Sequence, residues 1–171
     1  PRLTWNTLEI IRNNHGLPIQ SKSGHSFIKQ TMRERNAIYG GEMSAHHYFR
    51  DFSYADSGMI PWLLVVEIMC LRKIQLSELV DKRIKLFPTS GEINRTVKNA
   101  PQVLARIEEI YAKDALNIEH IDGLSLEFSD WRFNVRASNT EPLLRLNVET
   151  KSDIDLMQAR TKELLAVIEN Q

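Results

Sequence analysis

The chain has 171 residues, 42% of them apolar and 26% charged, a globular composition long enough for one large domain or two small ones. Lysine plus arginine and aspartate plus glutamate balance at 22 each. The molecule therefore has no net field to draw in a polyanion, which argues against nucleic acid or an acidic membrane as its main partner and makes any phosphate recognition local.

The opening Pro1-Arg2-Leu3 carries neither an initiator methionine nor the basic and apolar regions of a signal peptide, so it reads as the middle of something longer. Trp5, Leu8, Ile10 and Ile11 predict an amphipathic helix over residues 4–14, stopped by Asn14-His15-Gly16. Residues 17–20 read as a short strand. Residues 26–35 read as a helix with Phe27, Ile28 and Met32 on its buried side, and residues 37–39 as a brief strand, the alternation of an α/β layer. Ser57 is placed to cap a strongly apolar helix over residues 59–73, with Pro61 tolerated in its first turn. The lone cysteine, Cys70, lies in this helix. It excludes an internal disulfide framework, fits a reducing cytoplasm and is expected to be a buried core thiol. The same stretch, broken by Pro61 and Glu67, falls short of the roughly 18 apolar residues of a bilayer span. Ser77 reads as the cap of a shorter helix. The turn chemistry of Phe87-Pro88-Thr89-Ser90-Gly91 then sets the expected domains at 1–87 and 88–171.

Beyond that boundary, residues 92–97 read as a strand and residues 101–112 as a helix with Val103, Leu104, Ile107 and Ile110 inward. Leu124, Leu126 and Phe128 alternate, as do Trp131, Phe133 and Val135, and then Leu144, Leu146 and Val148, predicting three half-buried strands of a sheet with one polar face. Residues 152–170 read as a closing helix, with Ile154, Met157, Leu164, Leu165 and Ile168 against that sheet.

Two connections carry chemistry. Gly40-Gly41-Glu42-Met43-Ser44-Ala45-His46-His47 sets a carboxylate and a hydroxyl two residues apart behind paired glycines, with rings following that stack on or hydrogen-bond to carbohydrate. A Gly-Gly-Glu turn is also common, and a lone carboxylate is usually a surface group. His46 and His47, with His25, would also suit a metal, yet no second carboxylate or cysteine sits at ligand spacing, and no metal site is expected. His15 and His120 lie beside turn signals and read as surface residues. The connection from Arg136 to Arg145 joins two strands and offers two guanidinium forks, the neutral donors Ser138, Asn139 and Thr140, and Pro142 to stiffen its exit. The same residues also make an ordinary polar hairpin. The chain has no Asp-x-Asp-x-Asp run, no Walker loop and no serine with an obvious base, so it is expected to bind without catalytic residues of its own.

In these residues the chain resembles the C-terminal part of the α-D-phosphohexomutase family, in its phosphomannomutase/phosphoglucomutase group. Gly41-Glu42-Met43-Ser44-Ala45-His46 is similar to that family's sugar-recognition loop, and Arg136-Ala137-Ser138-Asn139-Thr140-Glu141-Pro142 to its phosphate loop. The likeness extends through Ser23-Gly24-His25 and Asp56-Ser57-Gly58-Met59. The resemblance implies an α/β domain, the third of four and truncated at its start, followed by an α+β domain of TATA-binding-protein-like fold. It implies that the phosphorylated serine and the ligands of a Mg²⁺ cofactor lie on missing N-terminal domains of the same enzyme. Glu42 and Ser44 would bind the O3 and O4 hydroxyls, and His46, His25 and Arg2 would line the cleft near substrate. Arg136, Ser138, Asn139 and Thr140 would grip the phosphate that is not being transferred, with Arg145 supporting the loop. The implied activity is interconversion of mannose 6-phosphate and mannose 1-phosphate, or of the glucose phosphates, through phosphoserine and a hexose 1,6-bisphosphate that also serves as activator. The implied setting is the cytoplasm, upstream of nucleotide-sugar and polysaccharide synthesis. A non-catalytic sugar-phosphate binding module is the alternative.

Overall fold

A computed structural model describes residues 2–138 and 140–170. In chain order it contains α1 (Trp5–Asn13), α2 (His25–Glu34), β1 (Tyr39–Gly41), β2 (His47–Phe49), β3 (Ala55–Asp56), α3 (Met59–Arg72), α4 (Leu76–Leu86), β4 (Ile93–Thr96), α5 (Ala100–Tyr111), β5 (Asn117–Glu119), β6 (Leu124–Glu127), β7 (Trp131–Ala137), β8 (Leu143–Thr150) and α6 (Ile154–Glu169). These elements form two compact units, Ile19–Lys82 and Pro1–Pro18 with Arg83–Gln171. No helix among the described residues is long and apolar enough to cross a membrane.

In the unit of residues 19–82, β1, β2 and β3 make a small antiparallel sheet in which Tyr39 opposes Phe49, Gly41 opposes His47 and Tyr48 opposes Asp56. Helix α2 buries Ile28 and Met32, an i, i+4 pair, against Tyr48. Phe27 is turned outward, contrary to the expectation from its place in the helix. Gly40 permits this packing: a Cβ there would stand 2.7 Å from Met32 Sδ. Ser57 Oγ accepts a hydrogen bond from Ile60 N at 3.3 Å, the cap expected for α3. Ser77 does not precede α4 but lies within its first turn.

Two further expectations are corrected here. Cys70 is exposed rather than a core thiol, as are Trp62, Leu63 and Leu71 on the same helix. A helix apolar on every side favours burial but does not supply the surface that buries it. Residues 17–20 form no strand, and Leu17 is 84% exposed. A strand needs a neighbour for its backbone N–H and C=O groups, and four apolar-leaning residues do not create one.

The other unit carries a five-stranded antiparallel sheet in the order β4-β8-β7-β6-β5. The anticipated alternation puts Phe133, Val135, Leu144, Leu146 and Val148 on one face, fully buried with Ile107 of α5 and Leu164 and Ile168 of α6. Asn99 caps α5 by accepting from Gln102 N, and Asp153 caps α6 by accepting from Leu156 N. Strand β5 goes beyond the alternating set, and Ile110 and Ile154, expected inward, are exposed.

The sheet's polar face is not solvated. Arg132, Asn134, Asn147 and Glu149 on β7 and β8 are all buried. Arg132 Nη1 donates to Glu149 Oε1 at 2.7 Å and to the carbonyl of Arg2 at 2.8 Å, while Thr4 N donates to the same Glu149 oxygen at 2.7 Å. Trp5 Nε1 donates to Glu127 Oε1 at 3.0 Å. The segment leading into α1 thus roofs this face, and a hydrogen-bonded ion pair lies beneath it.

Candidate functional site

Strands β7 and β8 place Arg136 directly opposite Arg145. Like charges directly opposed across two strands are destabilising unless a counter-ion intervenes. Glu92, just before β4, is that counter-ion. Its carboxylate lies 3.0 Å from Arg145 Nη1, 3.1 Å from Arg2 Nη1 and 3.7 Å from Arg136 Nη2. Asp122 stands 4.0 Å from Arg2 Nε. The group is half-sheltered, with side-chain exposures of 15% for Arg136, 17% for Arg2 and 28% for Arg145. Burial first, and repulsion from Arg2 and Arg145 with it, pulls the Arg136 guanidinium below its usual range. The Nε atoms of Arg2, Arg136 and Arg145 are buried without a hydrogen-bond partner among the described residues. Three guanidinium groups therefore share one carboxylate and retain unused donors, an arrangement suited to a tetrahedral anion.

The connection between β7 and β8 closes on itself at its base, where Ser138 N donates to the Leu143 carbonyl at 2.9 Å. Thr140 N lies 3.4 Å from Ser138 Oγ, and Arg145 Nη2 is 3.9 Å from Glu141. Ser138 is half-buried just after β7, and Thr140 is exposed within the connection. Asn139, expected in the same set, lies outside the described residues.

Glu42, Ser44 and His46 occupy the turn between β1 and β2. Glu42 N donates to the His46 carbonyl at 3.0 Å and Ala45 N to the Glu42 carbonyl at 3.0 Å, with Ala45 at φ +63°. This tight turn puts three side chains on one spot. Ser44 Oγ is 2.9 Å from His46 Nδ1 and 3.4 Å from Glu42 Oε2, and the Tyr48 hydroxyl donates to Glu42 Oε1. Burial, reinforced by the neighbouring Glu42 carboxylate, raises the Tyr48 phenol well above its ordinary range, so it remains a donor. His25, at the start of α2, packs edge-on against His46 with ring centres 4.5 Å apart, and its Nδ1 lies 3.6 Å from Asp56 Oδ1. A backbone hydrogen bond chiefly, then His25 and Lys29, lowers the Asp56 carboxyl below its normal value.

Of the residues read from sequence, His25, Glu42, Ser44 and His46 converge on one spot. His47 does not join them, because its Nδ1 is 2.6 Å from the Tyr39 hydroxyl. Arg2, expected with the sugar-binding set, has its ionic partners at the five-stranded sheet, Glu92 and Asp122. Glu92 was missed, and Tyr48, one of the rings expected beside a carbohydrate, is found donating to Glu42. Two arginines nine residues apart across a hairpin announce a cross-strand like-charge pair, and that pair's need for a carboxylate was the available signal for Glu92.

Residues 1–87 match the family model described as phosphoglucomutase/phosphomannomutase, alpha/beta/alpha domain III, and residues 92–166 match the one described as phosphoglucomutase/phosphomannomutase, C-terminal domain. The chain is 58% identical over 168 residues to a phosphomannomutase of Escherichia coli, an alignment covering 98% of this chain and 37% of that protein. It is 54% identical over 164 residues to a protein of Xanthomonas campestris pv. campestris named phosphohexose mutases, covering 96% and 37%. A crystal structure of a phosphoglucomutase/phosphomannomutase family protein from Burkholderia thailandensis aligns with a TM-score of 0.74 and 29% identity, over 97% of this chain and 36% of that one. The chain thus spans little more than a third of the length of these relatives, and through both of its matched segments it belongs to the phosphoglucomutase/phosphomannomutase family.

Proposed function

We propose that the chain supplies the sugar- and phosphate-binding part of a phosphomannomutase, which interconverts mannose 6-phosphate and mannose 1-phosphate through a phosphoserine enzyme and a hexose 1,6-bisphosphate. The observation that carries this reading is the opposed pair Arg136 and Arg145 sharing Glu92 with Arg2 while their Nε donors stay unpaired. A phosphate dianion entering there would bond the guanidinium groups and replace part of the work of Glu92. Ser138 and Thr140 would add neutral donors from the connection that follows Arg136, and the resemblance adds Asn139 to them.

Glu42 accepts from a sugar diol, and Tyr48 and Ser44 orient its carboxylate before substrate arrives, so little ordering entropy remains to be lost on binding. A carboxylate and a hydroxyl that read two neighbouring hydroxyls do not read the configuration at a third carbon. On this account the turn accepts mannose and glucose phosphates alike, glucose phosphates being the alternative substrates.

Phosphoryl transfer requires groups this chain does not present. Among the described residues, the group of three side chains able to hold a cation is His25, Glu42 and His46. Two imidazoles and one carboxylate do not fit Mg²⁺, which takes oxygen ligands in octahedral geometry. On our reading the phosphoserine and the Mg²⁺ ligands belong to the part of the enzyme outside this chain, and its own residues bind and orient.

Titration of the chain with mannose 6-phosphate and mannose 1-phosphate, followed by ³¹P NMR, tests the phosphate role. Binding should fall at least tenfold in Arg136→Ala, and equal binding by the variant removes the assignment. In an enzyme of the relatives' full length carrying these residues, Glu42→Ala should lower kcat/KM for both sugars to a similar degree. A loss confined to mannose phosphates contradicts the diol reading.

A further inference from the structure

The convergence of His25, Glu42 and His46 has a chemistry separate from hydroxyl recognition. One ligand atom of each lies within 4.8 Å of the others. Three protein ligands of this kind, two imidazoles and a carboxylate with positions left open, make a recurring zinc-type set. Ligand atoms of a tetrahedral site with bonds of about 2.0–2.2 Å stand about 3.4 Å apart, a spacing that falls within the limit this group meets. The His25 side chain is 47% exposed, which leaves room on its solvent side for a small adjustment to a cation.

What distinguishes this group from a chance cluster is its outer ring of partners. Asp56 Oδ1 faces His25 Nδ1 at 3.6 Å, Ser44 Oγ lies 2.9 Å from His46 Nδ1, and the Tyr48 hydroxyl donates to Glu42 Oε1. Ser44 thus holds the His46 ring in place, and Asp56 lies beside the ring of His25. Glu42 is oriented by Tyr48, whose side chain is fully buried. Ligands oriented one by one in this way are the ordinary support of a metal site.

We propose that His25, Glu42 and His46 form a binding site for a zinc-class divalent cation, with Asp56, Ser44 and Tyr48 as positioning residues. The two nitrogen ligands select against Mg²⁺ and Ca²⁺, which favour all-oxygen shells. The cation would use Glu42, Ser44, His46 and His25, the same residues as the sugar reading, but its test contains no sugar, so the two readings can fail separately.

Cobalt(II) titrated into the metal-free chain at neutral pH is the probe. The expected result is the intense visible absorption of a low-coordinate Co²⁺ centre at one equivalent, abolished by Zn²⁺ and unchanged by a large excess of Mg²⁺. His25→Ala and His46→Ala should each weaken binding at least tenfold, and Asp56→Asn about tenfold, through loss of orientation. His47→Ala, which alters a neighbouring imidazole outside the group, should bind as the parent does. Far-UV circular dichroism establishes that each variant is folded, and Glu42→Gln, nearly isosteric, gives a second test of the carboxylate ligand. Absence of the Co²⁺ bands in the parent chain overturns the proposal. So does their persistence in His25→Ala or His46→Ala, an equal loss in His47→Ala, or displacement by Mg²⁺.

Discussion

Replacing Glu92 by glutamine removes the one carboxylate shared by three arginines while keeping its shape and one acceptor oxygen. At an effective dielectric of about 20, unit charges about 4 Å apart interact by about 4 kcal/mol. Glu92 makes three contacts near that distance, at 3.0, 3.1 and 3.7 Å. Its side chain is 21% exposed, so solvent screens a good part of this. Glutamine also retains a neutral hydrogen bond. What remains is comparable to one or two charge-assisted hydrogen bonds, a loss of about 1.5–3 kcal/mol. For a chain of this size that lowers Tm by about 3–12 °C. The opposed pair Arg136 and Arg145 then loses the carboxylate it shares, keeping Asp122 near Arg136 and Glu141 near Arg145, and a phosphate dianion takes the vacated place. If about 1.4 kcal/mol of the lost energy returns on binding, the variant holds inorganic phosphate about tenfold more tightly than the parent. Phosphate at 100 times its Kd then restores about 2.7 kcal/mol, which brings the variant back near the parent's stability. Thermal unfolding with and without phosphate, together with isothermal titration, reads both quantities. A variant that is destabilised yet binds phosphate equally or more weakly refutes the idea that Glu92 holds the place of the ligand.

Three other perturbations test the supporting structure. Glu149→Gln breaks the ion pair with Arg132 under the roof of the sheet, where the two side chains are 1% and 3% exposed, and urea unfolding should show a loss of about 3–5 kcal/mol; a loss below about 1 kcal/mol counts against that pair as a stabilising contact. Gly123 has φ +81° and a Cβ there would come 2.4 Å from the Cβ of Arg136, so Gly123→Ala should cost about 1–3 kcal/mol and weaken phosphate binding with it; unaltered phosphate affinity would show that Arg136 does not depend on this close approach. The third concerns Tyr48, whose folded pKa is raised above its unfolded value. Its contribution to stability is complete below pH about 10 and is lost as pH rises from there through the folded value. Tyr48→Phe should therefore lose about 1 kcal/mol at neutral pH and show a flatter alkaline stability curve. Its ultraviolet titration should lack one of the last phenols to ionise, and curves that coincide with the parent's contradict the buried hydrogen bond to Glu42.

Much of the candidate site was legible because its residues are contiguous. Glu42, Ser44 and His46 fall within five residues, and a tight turn places them together whatever surrounds it. The spacing of Arg136 and Arg145 around a turn likewise shows that two strands carry them. His25 and Glu92 were harder. His25 reaches the turn because α2 packs through Ile28 and Met32 on Tyr48, and Glu92 reaches the arginines because β4 pairs with β8. Neither contact leaves a periodic trace near the residue itself. Cys70 shows the opposite failure: its apolar surroundings were plain, and burial did not follow.

The sequence by itself determined the elements whose signal is local: the alternating strands β6, β7 and β8, the helices α5 and α6 with most of their inward residues, Ile110 and Ile154 excepted, and the positions of the two loops. These follow from side-chain period and turn preference, which a short window of residues contains. The tertiary structure alone decided that the sheet's polar face is sealed by the segment before α1, that one carboxylate serves three arginines, and that two histidines and a glutamate meet on oriented supports. Charge neutralisation and ligand convergence depend on distances between residues far apart in the chain. Packing sets those distances, and no local pattern records them.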